Sequence, residues 1–424
     1  MMIVPIYKNI IKLRCLYFKK KGENDMYNLY CRMYQQSLKL AMYFLPWRKP
    51  ELIEGENGLS KLPNLIKSKG INNVLIVTDK GINKLGLMEG MLKGLSNMGI
   101  NYVVYEDTVP NPTIDNIEEA LGLYRANGCE GIIGFGGGSP MDCAKGVGAR
   151  LARPEKSISQ MKGQLKVRKN IPPLFAIPTT AGTGSEATLA AVISDSRTRE
   201  KYAINDTVLI PHYAVLDPLL TIKLPPHITS TTGMDALTHA VEAYIGKSNT
   251  EETIKCAREA VSLIFENLYE GYVNGSNITA RQNMQRASYL AGIAFTRAFV
   301  GYVHAIAHTL GGFYNVPHGL ANAIILPYVL EYYGSSAHKP LAELADLIGI
   351  SEESDSLEIK ARKFINAIRQ LNQAMNIPNK VKGIDDKDIP IMIERAIKEA
   401  NPLYPVPRIL NRDDLFNLYQ LIKE

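Results

Sequence analysis

The sequence predicts an α/β domain built on a parallel sheet, followed by an all-α domain. Three observations support this prediction. Short apolar runs rich in β-branched residues alternate with helical patterns up to about residue 220. Loops rich in glycine and threonine follow two of these runs, and beyond residue 220 only helical periodicity is found. Strands separated by helices pair in parallel, because each crossover returns the chain to the same end of the sheet.

The predicted elements are short strands in the first half and longer helices in the second. The strands are 74–78, 102–105, 131–135, 174–177 and 214–216. A helical pattern follows the first strand to about residue 97, and another spans 115–127. The later helices are 227–246, 251–273, 279–297, 300–312, 319–333, 355–374 and 388–399. We therefore assign an extension to residues 1–49, the α/β domain to 50–220 and the helical domain to 221–424.

The extension differs from the remainder in charge. The 424 residues carry a net charge of +6, but residues 1–50 hold ten Lys or Arg and two acidic residues, which gives +8. The other 374 residues therefore carry −2. A nearly neutral body does not indicate a nucleic-acid partner.

Residues 26–45 predict an amphipathic helix that ends before Pro46. Its apolar face is formed by Met26, Tyr30, Met33, Leu40 and Phe44, and its polar face by Arg32, Gln35, Gln36 and Lys39. Two interpretations remain open. The helix packs on the body or on a neighbouring subunit, which we favour because its polar face is only weakly basic, or it lies on an anionic membrane surface.

Cysteine usage and the N-terminus both indicate a cytoplasmic protein. The five cysteines are widely spaced without a CxxC pair, which is typical of a reducing compartment. Lys8, Lys12 and Arg14 interrupt any apolar signal sequence. Residues 298–330 contain no charged side chain, but their three histidines and two prolines favour a buried site over a membrane span.

A glycine loop at residues 134–145 (GFGGGSPMDCAK) lies between a predicted strand and a predicted helix. Glycines let the backbone approach a phosphate, and the helix N-terminus offers free N–H groups and a positive dipole end. A second polar loop, 178–186 (PTTAGTGSE), also follows a strand. Two such loops at the carboxyl ends of parallel strands predict a dinucleotide site. Asp79, at the end of the first strand, favours NAD over NADP, because its charge would repel a 2′-phosphate.

The histidines form a second pattern. Asp235 and His239 are four residues apart, as are His304 and His308, and His318 follows Pro317. Residues four apart share one helix face. Because buried imidazoles and carboxylates need partners, the pattern predicts a divalent metal centre, with Fe²⁺ and Zn²⁺ both suitable.

Together these motifs resemble the iron-containing (group III) alcohol dehydrogenases over residues 50–424. The resemblance is carried by GGGSPMDCAK (136–145), PTTAGTGSE (178–186), GMDALTHAVEAY (233–244) and GYVHAIAHTLGGFYNVPHG (301–319). It implies a Rossmann-like α/β domain and a helical metal-binding domain, in a dehydroquinate synthase-like architecture. The extension is a departure, because shorter members of the family lack it.

The resemblance also implies roles for individual residues. It implies a metal centre of Asp235, His239, His304 and His318, with His308 as a proton-relay histidine beside it. It implies a pyrophosphate site at Gly137, Gly138, Ser139 and Asp142, and contacts to the phosphates and nicotinamide ribose from Thr179, Thr180 and Thr183. Further cofactor positions implied by the resemblance are Asp79, Asn111, Lys201 and Leu220.

The expected activity is hydride transfer between NAD(P)(H) and a small primary alcohol or aldehyde, with a metal acting on the substrate oxygen. The expected assembly is a homodimer or a higher homo-oligomer. One alternative is a related polyol dehydrogenase of the glycerol or 1,3-propanediol type, and dehydroquinate synthases share similar loops. A remote alternative is a membrane-surface protein that uses the basic helix.

Overall fold

The computed structural model describes residues 21–197 and 200–424. Its strands are β1 (Glu51–Glu54), β2 (Asn73–Val77), β3 (Asn101–Tyr105), β4 (Gly131–Gly136), β5 (Gly163–Gln164), β6 (Leu174–Pro178), β7 (Ala190–Asp195), β8 (Glu200–Asn205) and β9 (Tyr213–Leu216). Six of them form a parallel sheet in the order β1-β9-β6-β4-β2-β3. The predicted α/β fold with a parallel sheet is confirmed.

The centre of this sheet is its most apolar part. Every residue of β4 and β6 is buried, because hydrophobic clusters cover both faces of the sheet. In the register of these two strands, Gly136 pairs with Pro178. The glycine loop and the threonine-rich loop therefore leave the sheet side by side.

The sequence prediction missed four strands. β1 contains two glutamates in four residues and lies at the edge of the sheet beside β9, so its sequence lacks the pattern of a buried strand. β7 and β8 form an antiparallel pair, and β5 joins β8 to complete a separate three-stranded sheet. These strands depend on one another for pairing, and local sequence carries little of that information.

The helices of the first half are α1 (Lys21–Tyr43), α2 (Leu62–Ser68), α3 (Lys80–Lys84), α4 (Glu89–Asn97), α5 (Ile114–Ala126) and α6 (Gly138–Ala152). Those of the second half are α7 (Pro226–Ile245), α8 (Glu251–Val273), α9 (Ile278–Ala298), α10 (Tyr302–Tyr314), α11 (His318–Tyr333), α12 (Ser335–Leu347), α13 (Leu357–Ala374), α14 (Ile389–Ala400) and α15 (Arg412–Ile422). In the described chain no strand follows β9, which confirms the all-α second half. The prediction missed α2 in the first half, and it missed α12, which contains Pro340, and the short α15 in the second half.

Helix α7 is the centre of the helical half. It packs against α8, α9 and α11, and most of its residues are buried. A helix surrounded in this way is apolar on nearly all sides. Its buried Asp235, His239 and Glu242 are therefore exceptions that need partners.

Helix α1 lies against the body of the protein. The Arg32 guanidinium donates to the carbonyl oxygens of Val406 (2.7 Å) and Pro407 (3.0 Å). The Gln35 amide donates to those of Pro402 (3.1 Å) and Tyr404 (2.8 Å). These contacts agree with the packing interpretation of the helix. The predicted assignment of the two faces is wrong in this respect, because Arg32 and Gln35 of the polar face meet the body. Most of the predicted apolar face is exposed, namely Met26, Met33, Leu40 and Phe44. Residues 1–20 lie outside the described residues.

One further observation concerns the apolar helices of the second half. Within the described ranges, no single helix is long and apolar enough to cross a bilayer. Helices α9 and α10 meet both criteria only when they are taken together, and the bend between them is 103°.

Candidate metal and dinucleotide site

Three helices bring the four predicted metal ligands together. Helix α7 places Asp235 and His239 one turn apart, α10 carries His304, and α11 begins at His318. One ligand atom from each of Asp235, His239 and His304 lies within 4.8 Å of the others. His318 joins them through Asp235, because its Nε2 is 3.6 Å from Asp235 Oδ1.

The imidazoles are in the protonation state that a metal requires. Burial lowers the pKa of His239 and of His304, and it lowers that of His318 to about 3. All three rings are therefore neutral near pH 7, which leaves each with a nitrogen lone pair.

The ligand atoms converge on the side-chain amide group of Asn322. The Nδ2 atom of Asn322 lies 2.6 Å from Asp235 Oδ1 and 3.2 Å from Nε2 of both His304 and His318. Three lone pairs thus surround one electropositive group. A divalent cation would satisfy the same atoms, so the residues present fit a metal of the iron or zinc type.

A glutamate that we did not predict orients His304. The Oε2 atom of Glu242 lies 2.6 Å from His304 Nδ1, and its Oε1 accepts the backbone N–H of Val303 at 2.8 Å. Burial raises the pKa of Glu242 to about 8. With Nδ1 engaged, Nε2 of His304 faces Asp235 Oδ1 at 3.8 Å. The sequence signal was available, because Glu242 lies three residues after His239 in a buried helix.

His308 lies beside the ligand group. Its ring stacks on that of His318, with centroids 5.1 Å apart. Its Nδ1 lies 2.7 Å from Glu399 Oε1, and the Tyr404 hydroxyl donates to the same oxygen at 2.8 Å. Glu399 and Tyr404 are about ninety residues away in sequence, so no local pattern could have identified them. The structure therefore places His308 between the metal centre and a carboxylate.

The glycine loop and the threonine-rich loop are in contact. Helix α6 starts at Gly138, and a Cβ atom on this glycine would lie 3.0 Å from Thr183 Cγ2. A Cβ atom on Gly137 would lie 3.6 Å from Thr180 Oγ1. The absence of side chains leaves the first N–H groups of α6 accessible, which suits a pyrophosphate.

Asn111 links several of the predicted cofactor residues. Its backbone N–H donates to Ser139 Oγ at 3.2 Å, and its side-chain oxygen accepts from Lys201 Nζ at 2.6 Å. Asn111 has a left-handed φ of 60°. In this conformation Asn111 contacts Ser139 through its backbone and Lys201 through its side chain.

Asp142 has a different environment from the one expected. Its carboxylate accepts the Ser185 hydroxyl at 2.8 Å and the Val192 N–H at 3.1 Å. Next to it, the buried Lys145 donates to Ser185, Thr188 and the carbonyl of Ala190 at 2.8 to 3.0 Å. These two charged side chains fasten the threonine-rich loop and β7 to α6. The role of Asp142 at a pyrophosphate stays a prediction.

One cavity of about 360 Å³ joins the two sites. Of the predicted residues it is lined by Asn111, Gly138, Ser139, Asp142, Thr183, Lys201, Asp235, His239, His304, His308 and His318. The other predicted residues of the described chain lie outside this lining: Asp79, Gly137, Thr179, Thr180 and Leu220. Asp79 Oδ1 accepts the Ile82 N–H at 2.9 Å and caps α3, while Thr179 and Leu220 are buried. Their cofactor roles stay predictions.

Comparison with known families agrees with this arrangement. The family model described as iron-containing alcohol dehydrogenase matches residues 50–218, and the model of the C-terminal part of the same family matches residues 229–422. This chain belongs to the iron-containing alcohol dehydrogenase family. The resemblance seen in the sequence is thereby confirmed, and the protein is an oxidoreductase of that family.

Curated relatives extend over most of the chain. Alcohol dehydrogenase 4 of Saccharomyces cerevisiae is 41% identical over 350 residues, which is 82% of this chain and 90% of the yeast protein. 1,3-Propanediol dehydrogenase of Citrobacter freundii is 38% identical over 370 residues, which is 86% of this chain and 95% of that protein. Lactaldehyde reductase of Escherichia coli is 34% identical over 368 residues, covering 86% and 96% respectively.

Solved structures of the family share the fold. A crystal structure of 1,3-propanediol oxidoreductase superposes with a TM-score of 0.85 and 36% identity, covering 89% of this chain and 99% of that one. The sulfoacetaldehyde reductase of Bifidobacterium kashiwanohense, solved with NAD⁺, has a TM-score of 0.79, 27% identity and coverage of 89% and 98%. Residues before 50 lie outside both family-model matches.

Proposed function

We propose that this iron-containing alcohol dehydrogenase interconverts a small primary alcohol and its aldehyde, with NAD(H) as the hydride carrier. The observation that carries the proposal is the convergence of Asp235 Oδ1, His304 Nε2 and His318 Nε2 on one point. This point adjoins the same cavity as Gly138, at the first turn of α6.

Asp235, His239, His304 and His318 would hold the metal. When bound there, it would polarise the substrate oxygen as a Lewis acid. The preference for Fe²⁺ comes from the family, and the same donors also suit Zn²⁺.

The residues of this chain bind the reactants and move the proton. In alcohol oxidation a hydride leaves the carbinol carbon for C4 of the nicotinamide, and the hydroxyl proton leaves the substrate oxygen. His308 accepts that proton on Nε2, because its Nδ1 is engaged by Glu399. Aldehyde reduction reverses both transfers. A partly exposed His308 can then exchange the proton with water.

The dinucleotide would lie along the first turn of α6. Gly137, Gly138 and Ser139 would receive the pyrophosphate, with Thr179, Thr180 and Thr183 beside the phosphates and ribose. Asp79 favours NAD, and NADP remains the alternative. A relative solved with NAD⁺ supports this choice.

A polyol substrate is the second candidate. It is favoured by the similarity to two enzymes named for 1,3-propanediol. Side-by-side rates with ethanol, 1-propanol, glycerol and 1,3-propanediol distinguish the two candidates. Preference for a diol would replace the simple alcohol in the proposal.

We also propose that the enzyme acts in the cytoplasm as a homodimer or higher homo-oligomer, without nucleic acid or a membrane as partner. Buried thiols at Cys129, Cys143 and Cys256 agree with a reducing compartment. Light scattering of the purified full chain tests the assembly, and a monomer at micromolar concentration would contradict it.

The decisive test of the activity is metal removal. Chelation, or Asp235→Ala, should abolish alcohol-dependent NADH formation while circular dichroism shows an intact fold. Metal content is measured on the same samples, and Fe²⁺ or Zn²⁺ is added back anaerobically. Full activity in protein shown to be free of metal would refute the proposal.

A further inference from the structure

The carboxyl end of α1 and the turn after it lie against the cavity that contains the metal-site residues. Four side chains from this segment line it, namely Leu38, Met42, Leu45 and Trp47. We call these four residues the α1 wall. All are apolar and half-buried. They precede residue 50, where the family-model match begins, so the segment lies outside the matched residues.

The helix that carries the wall is fixed to a loop of the cavity. Arg32 and Gln35 donate four hydrogen bonds to backbone carbonyls between Pro402 and Pro407. Gln35 is only 4% exposed, so its amide is committed to these bonds. The same loop contains Tyr404, whose hydroxyl donates to Glu399, the carboxylate beside His308. A helix held by buried polar contacts keeps a defined position.

The turn that follows is tied to both halves of the protein. The Trp47 indole N–H donates to the Met42 carbonyl at 2.8 Å, and the Arg297 guanidinium of α9 lies 5.0 Å from its ring. Arg48 donates to the carbonyls of Val208 (2.6 Å) and Ile210 (2.8 Å), just before β9. The α1 wall is therefore anchored on the helical half and on the α/β half.

Part of the lining of the cavity is hydrocarbon. Phe295, Phe299 and Val300, at the junction of α9 and α10, line the same space as the α1 wall. Removing the alkyl chain of a substrate from water would stabilise its complex, and each further buried methylene would add to that stabilisation. Such a lining suits an unbranched alkyl chain better than a charged or hydroxylated one.

We propose that the α1 wall forms one side of the substrate pocket and limits the chain length of the alcohol or aldehyde that the enzyme accepts. This inference rests on the proposed function of the cavity. The wall residues are specificity-determining and take no part in the hydride or proton transfer.

Two wall variants with opposite effects test it in the full-length, metal-loaded enzyme. Leu38→Ala combined with Met42→Ala enlarges the pocket, and Leu38→Phe fills it. We measure kcat/KM for the primary alcohols from ethanol to hexanol with NAD. The ratio of hexanol to ethanol should rise at least about 10-fold in the first variant and fall about 10-fold in the second. A loss of folding would not move this ratio in opposite directions.

Helix α1 also offers a matched control. Met33 and Leu40 lie on its outer face and are 63% and 64% exposed. Met33→Ala combined with Leu40→Ala removes the same two side-chain types and should leave the ratio within about 2-fold of wild type. A wild-type ratio in both wall variants, or an equal change in the control, would overturn the proposal.

Trp47 provides a readout that does not need turnover. It is the only tryptophan in the sequence, so intrinsic fluorescence reports on the α1 wall itself. Hexanol should change this emission at saturation, and the ratio of apparent Kd values for hexanol and ethanol should follow the two wall variants. If the Kd ratio follows the wall variants but no NADH is formed, the proposed activity fails while the assignment of the α1 wall to the alcohol-binding pocket is supported. If Trp47 emission and the Kd ratio do not respond, the wall proposal is overturned.

Discussion

The Nδ1 atom of His304 lies 2.6 Å from Oε2 of Glu242, and both side chains are buried. Hydrogen bonding at Nδ1 leaves Nε2 as the nitrogen that faces Asp235. Burial lowers the pKa of His304 and raises that of Glu242 to about 8, so both groups are uncharged near neutrality. With Nε2 as a metal ligand, the proton of His304 would be on Nδ1, and Glu242 would accept it as a carboxylate.

Replacing Glu242 should therefore weaken metal binding. In Glu242→Gln an amide cannot accept the proton from Nδ1 as strongly, so we expect the affinity for Fe²⁺ or Zn²⁺ to fall about 10- to 100-fold. Calorimetric titration of the apoprotein measures it. The control is Glu343→Gln, since Glu343 accepts a tyrosine hydroxyl in the same helical half. Wild-type affinity in Glu242→Gln would contradict this role.

The contact between His308 and Glu399 predicts a defect in kcat. Glu399→Gln removes the carboxylate that holds His308 Nδ1, and we expect kcat to fall at least about 10-fold while metal content stays constant. Tyr404→Phe, which removes the other bond to the same oxygen, should have a smaller effect of the same sign. Stopped-flow measurement of NADH formation, with metal analysis of each sample, tests this. An unchanged kcat in Glu399→Gln would exclude the relay.

The close approach of α7 and α11 predicts that metal binding depends on how these two helices pack. A Cβ atom on Gly319 would lie 2.3 Å from the carbonyl oxygen of Thr231, so Gly319→Ala must push the two helices apart. We expect a loss of about 1–3 kcal/mol in unfolding free energy, and weaker metal binding, because His318 and Asp235 lie on these helices. Gly312→Ala is the control, since a Cβ atom there would meet no described atom of another helix within 4 Å. Equal urea midpoints for the two variants would contradict the prediction.

The buried Glu186 predicts a pH dependence of stability. Burial raises the pKa of its carboxyl from an ordinary value of 4.5 to about 7, and Lys145 opposes the shift. The folded state therefore binds this proton more tightly than the unfolded state, and the stabilisation it gives at low pH is lost as the pH rises from 4.5 through 7.

Glu186→Gln removes that titration. The unfolding free energy of the variant minus that of wild type should be larger at pH 8 than at pH 5, by up to about 3 kcal/mol. Urea unfolding at the two pH values measures the difference. If the gain of Glu186→Gln were the same at both pH values, Glu186 would titrate normally in the fold.

The extension shows the limit of sequence reasoning. Amphipathic spacing predicted a helix near residues 26–45, and α1 spans Lys21–Tyr43. The spacing assigned Leu40 to an apolar contact face, yet Leu40 is exposed. Gln35, assigned to the polar face, is buried because it meets carbonyl groups. Which face of a helix is buried depends on a partner surface, and that surface lies about 370 residues away in the chain.

The sequence by itself determined the parallel α/β half, the helical half, the two cofactor loops and the four candidate ligands. These features depend on local sequence, namely on the period of apolar residues and on glycines or histidines at fixed spacing. Only the tertiary structure decided that Glu242 orients His304, that Glu399 holds His308 and that α1 lines the cavity. Each of these is a contact between distant segments, and its stability comes from burying polar groups against partners that no local pattern specifies.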